Sequence, residues 1–261
     1  MFGDMSLDEI ARRLGQLGYD GVELVGDPGL YSPSEAAATL GDQGLQVLSL
    51  TPDNVDLAHP DPRVRAAAVD YYLKLIDFAS EFGEPIVSCH GYVGRVRPIA
   101  SQAEEWGLLV DAVRGLAERA NGSGLRLAME VLNRYESHLV NTGAEALRFV
   151  QQVGCDNVGI LLDAYHMNIE ESSPAAALRN AGAHLSLYHA ADSNRQAIGR
   201  GHTDFGSQFD ALDEIAYKGP VIMECTAPGP DPFTAIKGED SVQWLETYLK
   251  ESRSYLQQAW N

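Results

Sequence analysis

Cationic side chains are scarce in this chain: 19 Lys and Arg stand against 37 Asp and Glu, for a formal net charge of −18. Binding along a phosphate backbone needs clustered Lys and Arg, so the charge balance argues against nucleic acid as a partner. Long apolar runs are also missing. No stretch approaches the roughly eighteen residues of a membrane span, and the opening MFGDMSLDEI lacks the basic and apolar regions of a signal peptide. The expectation is a soluble, cytoplasmic protein with no membrane partner. Cysteine is limited to Cys89, Cys155 and Cys225, an odd number, widely spaced and without a CxxC pair. That excludes a disulfide framework and a zinc finger and leaves reduced thiols. There is no low-complexity segment and no flexible linker; NGSG at 121–124 reads as a loop.

At 261 residues and 45% apolar content, the chain can bury a large core, and residues 1–261 read as a single barrel domain. Helix and strand signals alternate throughout. Ser6-x-x-Glu9, Ser101-x-x-Glu104 and Thr142-x-x-Glu145 are helix-opening boxes in which side chains satisfy free amides of the first turn. Pro62 after Asp61 and Pro174 after Ser173 sit where a first-turn proline costs no hydrogen bond. Between the helices lie GVELV (21–25), LQVLSLT (45–51), PIVSCH (85–90), LRLAME (125–130), VGILLD (158–163), HLSLYH (184–189) and GPVIME (219–224). These runs are apolar with little alternation, as in a parallel sheet covered on both faces. The fold class predicted is α/β, a (β/α)8 TIM barrel. Only MFGDM precedes the first helix box, so the first of the eight strands is short or missing and the barrel is imperfect there. A helix over about 239–258 carries Trp244, Leu245, Tyr248 and Leu249 at helical spacing, a packing face.

The last four runs end on Glu130, Asp163, His189 and Glu224, separated by 33, 26 and 35 residues. Each interval fits one strand, one helix and two short loops, so the four groups converge on one rim of the barrel. Three carboxylates and an imidazole make a divalent-metal site of mostly hard ligands, suited to Mn²⁺, Mg²⁺ or Co²⁺. Such an ion can chelate two oxygens of a sugar or hydroxy-ketone and stabilise the enediolate formed when a proton leaves the carbon beside a carbonyl. Glu130 and Glu224 come from strands three steps apart, so they can reach a substrate from opposite sides and invert a centre. His90 ends its run on the same rim, as pocket lining or as an ordinary buried histidine. Glu23 and His202 carry the same two readings. His138 reads as a loop residue, His184 and His59 as structural, and Tyr92, Arg95 and Arg97 as surface groups.

EVLNRYE (130–136), LLDAYHMNIEE (161–171), YHAADSNR (188–195) and VIMEC (221–225) closely resemble the sugar phosphate isomerase and epimerase family with the xylose-isomerase-like barrel, above all its ketose 3-epimerases. The resemblance implies metal ligation by Glu130, Asp163, His189 and Glu224, with the two glutamates as acid and base. It also implies substrate contacts from Glu136, His166 and Arg195, Mn²⁺ as the foremost metal, and a homodimer or tetramer acting on a sugar. Two segments depart from those epimerases. AADSNRQAIGRGHTDF follows the histidine, and the proline-rich CTAPGPDPFTAIKGED follows Glu224 and reshapes the pocket mouth. The alternative is the catalytic subunit of a C-glycoside deglycosidase, a carbon–carbon lyase on a 3-oxo-glycoside that requires a small partner subunit. An endonuclease on the same barrel is opposed by the net charge.

Overall fold

The computed structural model describes residues 1–229, 233, 238 and 240–260. Among these residues seven strands, all parallel, form one sheet in sequence order: β1 (Gly21–Val25), β2 (Gln46–Thr51), β3 (Ile86–Cys89), β4 (Arg126–Glu130), β5 (Val158–Asp163), β6 (Leu185–Ala190) and β7 (Val221–Met223). Each strand is followed by helix in the right order for a barrel: α2 (Pro33–Gly41), α3 (Pro62–Ser80), α4 (Gln102–Asn121), α5 (Gly143–Val153), α6 (Ala164–Glu170) with α7 (Pro174–Ala181), α8 (Phe205–Glu214) and α9 (Ser241–Ala259), with α1 (Leu7–Leu17) ahead of β1.

The barrel is nearly closed, and the gap falls where the sequence places it. Among the described residues β1 pairs only with β2 and β7 only with β6, and residues 1–5 form no strand. Phe2 instead packs against a small cluster of Val22, Leu24, Cys225, Leu245 and Tyr248 beside the gap. Burial follows this geometry. Every residue of β3, β5 and β6 is buried, whereas β1 alternates and ends on Val25, 47% exposed. Interior strands have helices on one side and packed barrel on the other; a strand at the gap has only one neighbour.

The local devices behave as the sequence predicts. Ser6, Ser101 and Thr142 accept hydrogen bonds from the amides of Glu9, Glu104 and Glu145, each cap contributing about 1 kcal/mol. Asp61 and Ser173 cap α3 and α7 directly ahead of Pro62 and Pro174. Gly18 closes α1 at φ +79°, a conformation that costs residues with a Cβ.

Three residues depart from the sequence reading. Trp244 does not pack like Leu245, Tyr248 and Leu249; it stays 41% exposed and lies beside the Arg200 guanidinium. Arg95 is not a surface group, and His138 is more than a loop residue. Arg95 pairs with Asp56 at 2.9 Å and Glu105 at 3.2 Å, and His138 Nε2 lies 2.9 Å from Glu105. These side chains are nearly all excluded from water, which is tolerable only because each charge has a partner. The network joins the loops after β2, β3 and β4. Gly94 N–H donating to the Glu136 carbonyl and His138 N–H donating to the Arg95 carbonyl extend the same link.

Candidate active site

Parallel pairing brings the strand ends together. Asp163 is level with His189, and His189 with Ile222, two residues before Glu224. Glu224 lies just past the end of β7, held by its N–H donating to the Ala190 carbonyl at 3.3 Å. Glu130, Asp163 and His189 are all buried. Their ligand atoms form two overlapping trios, Glu130–Asp163–His166 and Asp163–His189–Glu224, with the atoms in each within 4.8 Å of one another. His189 Nδ1 stands 3.2 Å from Glu224 Oε2 and 4.0 Å from Glu130 Oε1.

Asp163 does two jobs. Its Oδ1 accepts the Tyr165 N–H at 2.7 Å and so caps α6. Its Oδ2 is buried without a hydrogen bond, with Arg195 Nη1 at 3.3 Å and His166 Nε2 at 3.6 Å. A buried carboxylate oxygen that is not hydrogen-bonded costs free energy. With two glutamates and an imidazole around it, this set fits a divalent cation with oxygen and nitrogen ligands.

The environment drives the acids apart. Burial pushes Glu130 up to about 8, against the pull of His189, with the neighbouring carboxylates adding to the rise. Burial also raises Asp163, to about 7, although Arg195 opposes it. Partial burial works to raise Glu224, yet Arg195 and His189 together hold it well below the usual carboxylate range. Burial acts against a charged His189, but Glu23 and Glu224 outweigh it and raise the imidazole well above its usual value. Two carboxyls of one type with opposed proton affinities suit an acid/base pair.

The residues implied as substrate contacts stand around this centre. Arg195 donates to Glu224 Oε2 at 2.6 Å, and its guanidinium lies 4.2 Å from the Tyr165 ring centroid. Its backbone is left-handed at φ +58°, an uncommon state for a side-chain-bearing residue and one that gathers at functional sites. His166 accepts the Asn133 N–H on Nδ1 at 3.2 Å, and its Nε2 faces the Arg195 guanidinium at 3.4 Å. Burial, with Arg195 beside it, lowers His166 to about 3, so the ring is neutral. Glu136 accepts from Asn133 Nδ2 at 2.8 Å. His90 is buried after β3 with Nδ1 2.7 Å from the Gly91 carbonyl oxygen. His202 is exposed, and the proline-rich segment from 230 to 237 is largely outside the described residues.

Three further residues at the site carry little signal in the sequence. Glu23, from β1, lies 3.3 Å from His189 Nε2. Asn133 bridges Glu136 and His166, and its only signal was membership of the NRYE motif. Asp192 is fully buried and accepts the N–H groups of Ser193, Gly199, Gly201 and Thr203. It thereby folds the loop that carries Arg195. A Cβ at Gly201 would collide with Asp192 Oδ1 and Ser193 Oγ, so glycine is required for this approach.

A family model described as a xylose isomerase-like TIM barrel matches residues 11–253. The chain is 33% identical over 222 residues to a D-psicose 3-epimerase of Agrobacterium fabrum, covering 81% of this chain and 76% of that protein. The D-psicose 3-epimerase of Clostridium cellulolyticum H10, solved with D-tagatose, superposes with a TM-score of 0.88 at 27% identity, over 98% of this chain and 94% of that one. A 3-keto-D-glucoside 4-epimerase from E. coli superposes with a TM-score of 0.85 at 26% identity, covering 98% and 96%.

Proposed function

This chain belongs to the xylose isomerase-like TIM barrel family, and from that premise we propose that it is a metal-dependent epimerase of a ketose or related keto-sugar. The observation that carries the reading is the placement of two glutamates with opposed proton affinities, Glu130 at the end of β4 and Glu224 after β7, on either side of Asp163 and His189. Glu130, Asp163, His189 and Glu224 would hold one divalent ion, Mn²⁺ before Mg²⁺ or Co²⁺. When bound, that ion supplies Lewis-acid polarisation of a substrate carbonyl, which acidifies the neighbouring C–H.

The chain's own groups do the rest. One glutamate takes the proton from the carbon beside the carbonyl, and the other returns a proton to the opposite face. Arg195, His166 and Glu136 bind substrate oxygens, Arg195 by donating and Glu136 by accepting. Neutral His166 contributes a ring nitrogen as a further polar contact. His90 lines the floor near the substrate. Similarity to epimerases of free ketoses and of a keto-glucoside supports a substrate with a carbonyl beside an epimerisable carbinol. We place the enzyme in the cytoplasm as a homodimer or tetramer, which light scattering checks.

The test is a panel of ketohexoses, ketopentoses and 3-oxo-glycosides incubated in D₂O with Mn²⁺. The expected result is deuterium at the carbon beside the carbonyl together with the epimer; products of C–C cleavage would favour the deglycosidase. Absence of exchange with every keto-sugar would remove the proton-transfer reading. Gly201→Ala, which crowds Asp192 and displaces the Arg195 loop, is expected to raise KM about tenfold or more, because small misplacements of positioning groups are costly. Unchanged steady-state kinetics would show that the loop does not position Arg195.

A further inference from the structure

His189 is held at both ring nitrogens. Nδ1 faces the carboxylate cluster, 3.2 Å from Glu224 and 4.0 Å from Glu130. Nε2 points the other way, 3.3 Å from Oε2 of Glu23. Glu23 comes from β1, across the barrel gap, and only 12% of its side chain is exposed. The same Oε2 accepts the Ser49 hydroxyl at 2.7 Å. Ser49 lies on β2, fully buried and paired in register with Glu23. The carboxylate is therefore fixed from one side by β2 and directed at the histidine on the other.

Taking the metal site above as its premise, we propose that Glu23 is a positioning residue that prepares His189 to bind the divalent ion. A neutral imidazole carries one ring proton. With a carboxylate facing Nε2, that proton resides on Nε2, and the Nδ1 lone pair is left directed at the cluster. The negative partner also makes the ring a better donor. Ser49 keeps Glu23 in place, so a Glu–Ser pair on β1 and β2 acts on a site whose ligands come from β4 to β7. Glu23 is not itself a ligand in this arrangement, because its inward oxygen is engaged by His189 and Ser49.

The experiment is calorimetric titration of metal-stripped full-length protein with Mn²⁺ alone, comparing wild type, Glu23→Gln and Ser49→Ala. A glutamine can turn its NH₂ toward Nε2 and favour the tautomer whose proton sits on Nδ1, where the ion must bind. Glu23→Gln is expected to weaken Mn²⁺ binding about 10–100-fold, with Ser49→Ala showing a smaller loss of the same sign. Circular dichroism and the melting temperature of the metal-free variants report whether the fold survives. Nitrogen-15 spectra of the Mg²⁺-loaded wild type are expected to place the His189 proton on Nε2. A folded Glu23→Gln whose Kd stays within about twofold of wild type overturns the proposal, given the 10–100-fold losses such partners usually cause. Should Glu23→Gln not fold, an unchanged Kd for Ser49→Ala overturns it, and a raised Kd supports it. A wild type that takes up no Mn²⁺ removes the metal reading and this role with it. Wild-type uptake with unaltered variants removes only the role of Glu23.

Discussion

Glu224→Gln is expected to slow epimerisation by about 10²–10⁴-fold, the usual contribution of a positioned acid or base. Metal occupancy should be reduced but still measurable. The amide keeps the size of the side chain but cannot accept a proton from carbon. Glu130→Gln should lose activity to a similar degree, because a two-base mechanism needs both faces. Arg195→Ala separates binding from chemistry: it removes a donor now 2.6 Å from Glu224 and should act mainly on KM. Steady-state rates and deuterium exchange on the same preparations check all three. Near-normal exchange and product formation by Glu224→Gln would show that one base suffices, and the facial assignment of the two glutamates would be abandoned.

Metal binding should dominate the stability of this protein and its response to pH. Saturation with Mn²⁺ at about a hundred times Kd contributes about 2.7 kcal/mol, which corresponds to a rise in Tm of about 5–10 °C for a chain of this size. Without metal, Glu130 titrates at about 8 and Asp163 at about 7, both raised above their unfolded values. Their contribution to folding is therefore fully present below about pH 4, where unfolded carboxyls titrate, and is lost as pH rises through 7 to 8. The raised His189 acts in the same direction, while Glu224, lowered, is ionised in both states across that window. Metal-free Tm should fall from pH 6 to 9. The bound ion needs these groups deprotonated, so its affinity should weaken as pH drops below about 8, by about tenfold per unit for each proton displaced. Thermal melts with and without Mn²⁺ from pH 6 to 9 check both slopes. A metal-free Tm that rises with pH would mean that burial does not raise Glu130 and Asp163.

Much of the site was legible because a parallel barrel turns sequence spacing into position. Glu130, Asp163 and His189 each end an apolar run, and a residue ending such a run in a parallel barrel can only be at one rim. Glu224 is one residue past its strand and two beyond the residue level with His189, which the run GPVIME did not reveal, but its carboxylate still reaches the same cluster. Capping boxes at Ser6, Ser101 and Thr142 were readable because they are contacts across three residues, decided within a single helical turn.

Tertiary structure decided the rest. Glu23 lies 166 residues from His189, and nothing local in GVELV distinguishes a carboxylate facing an imidazole from one facing water; only the curl of the sheet that nearly closes the barrel brings the two side chains together. Arg95, Asp56, Glu105 and His138 look like scattered loop and surface charges until three rim loops pack and exclude water from all four. Asp192 looks like a solvated turn residue until four amides converge on it. Strand ends, caps and period are set by neighbours a few residues away, so the sequence determined the barrel, its weak edge and the four groups on its rim. Proton affinities, partners across the barrel and the hold on Arg195 depend on burial and on distances between distant segments, and only the folded chain fixes those.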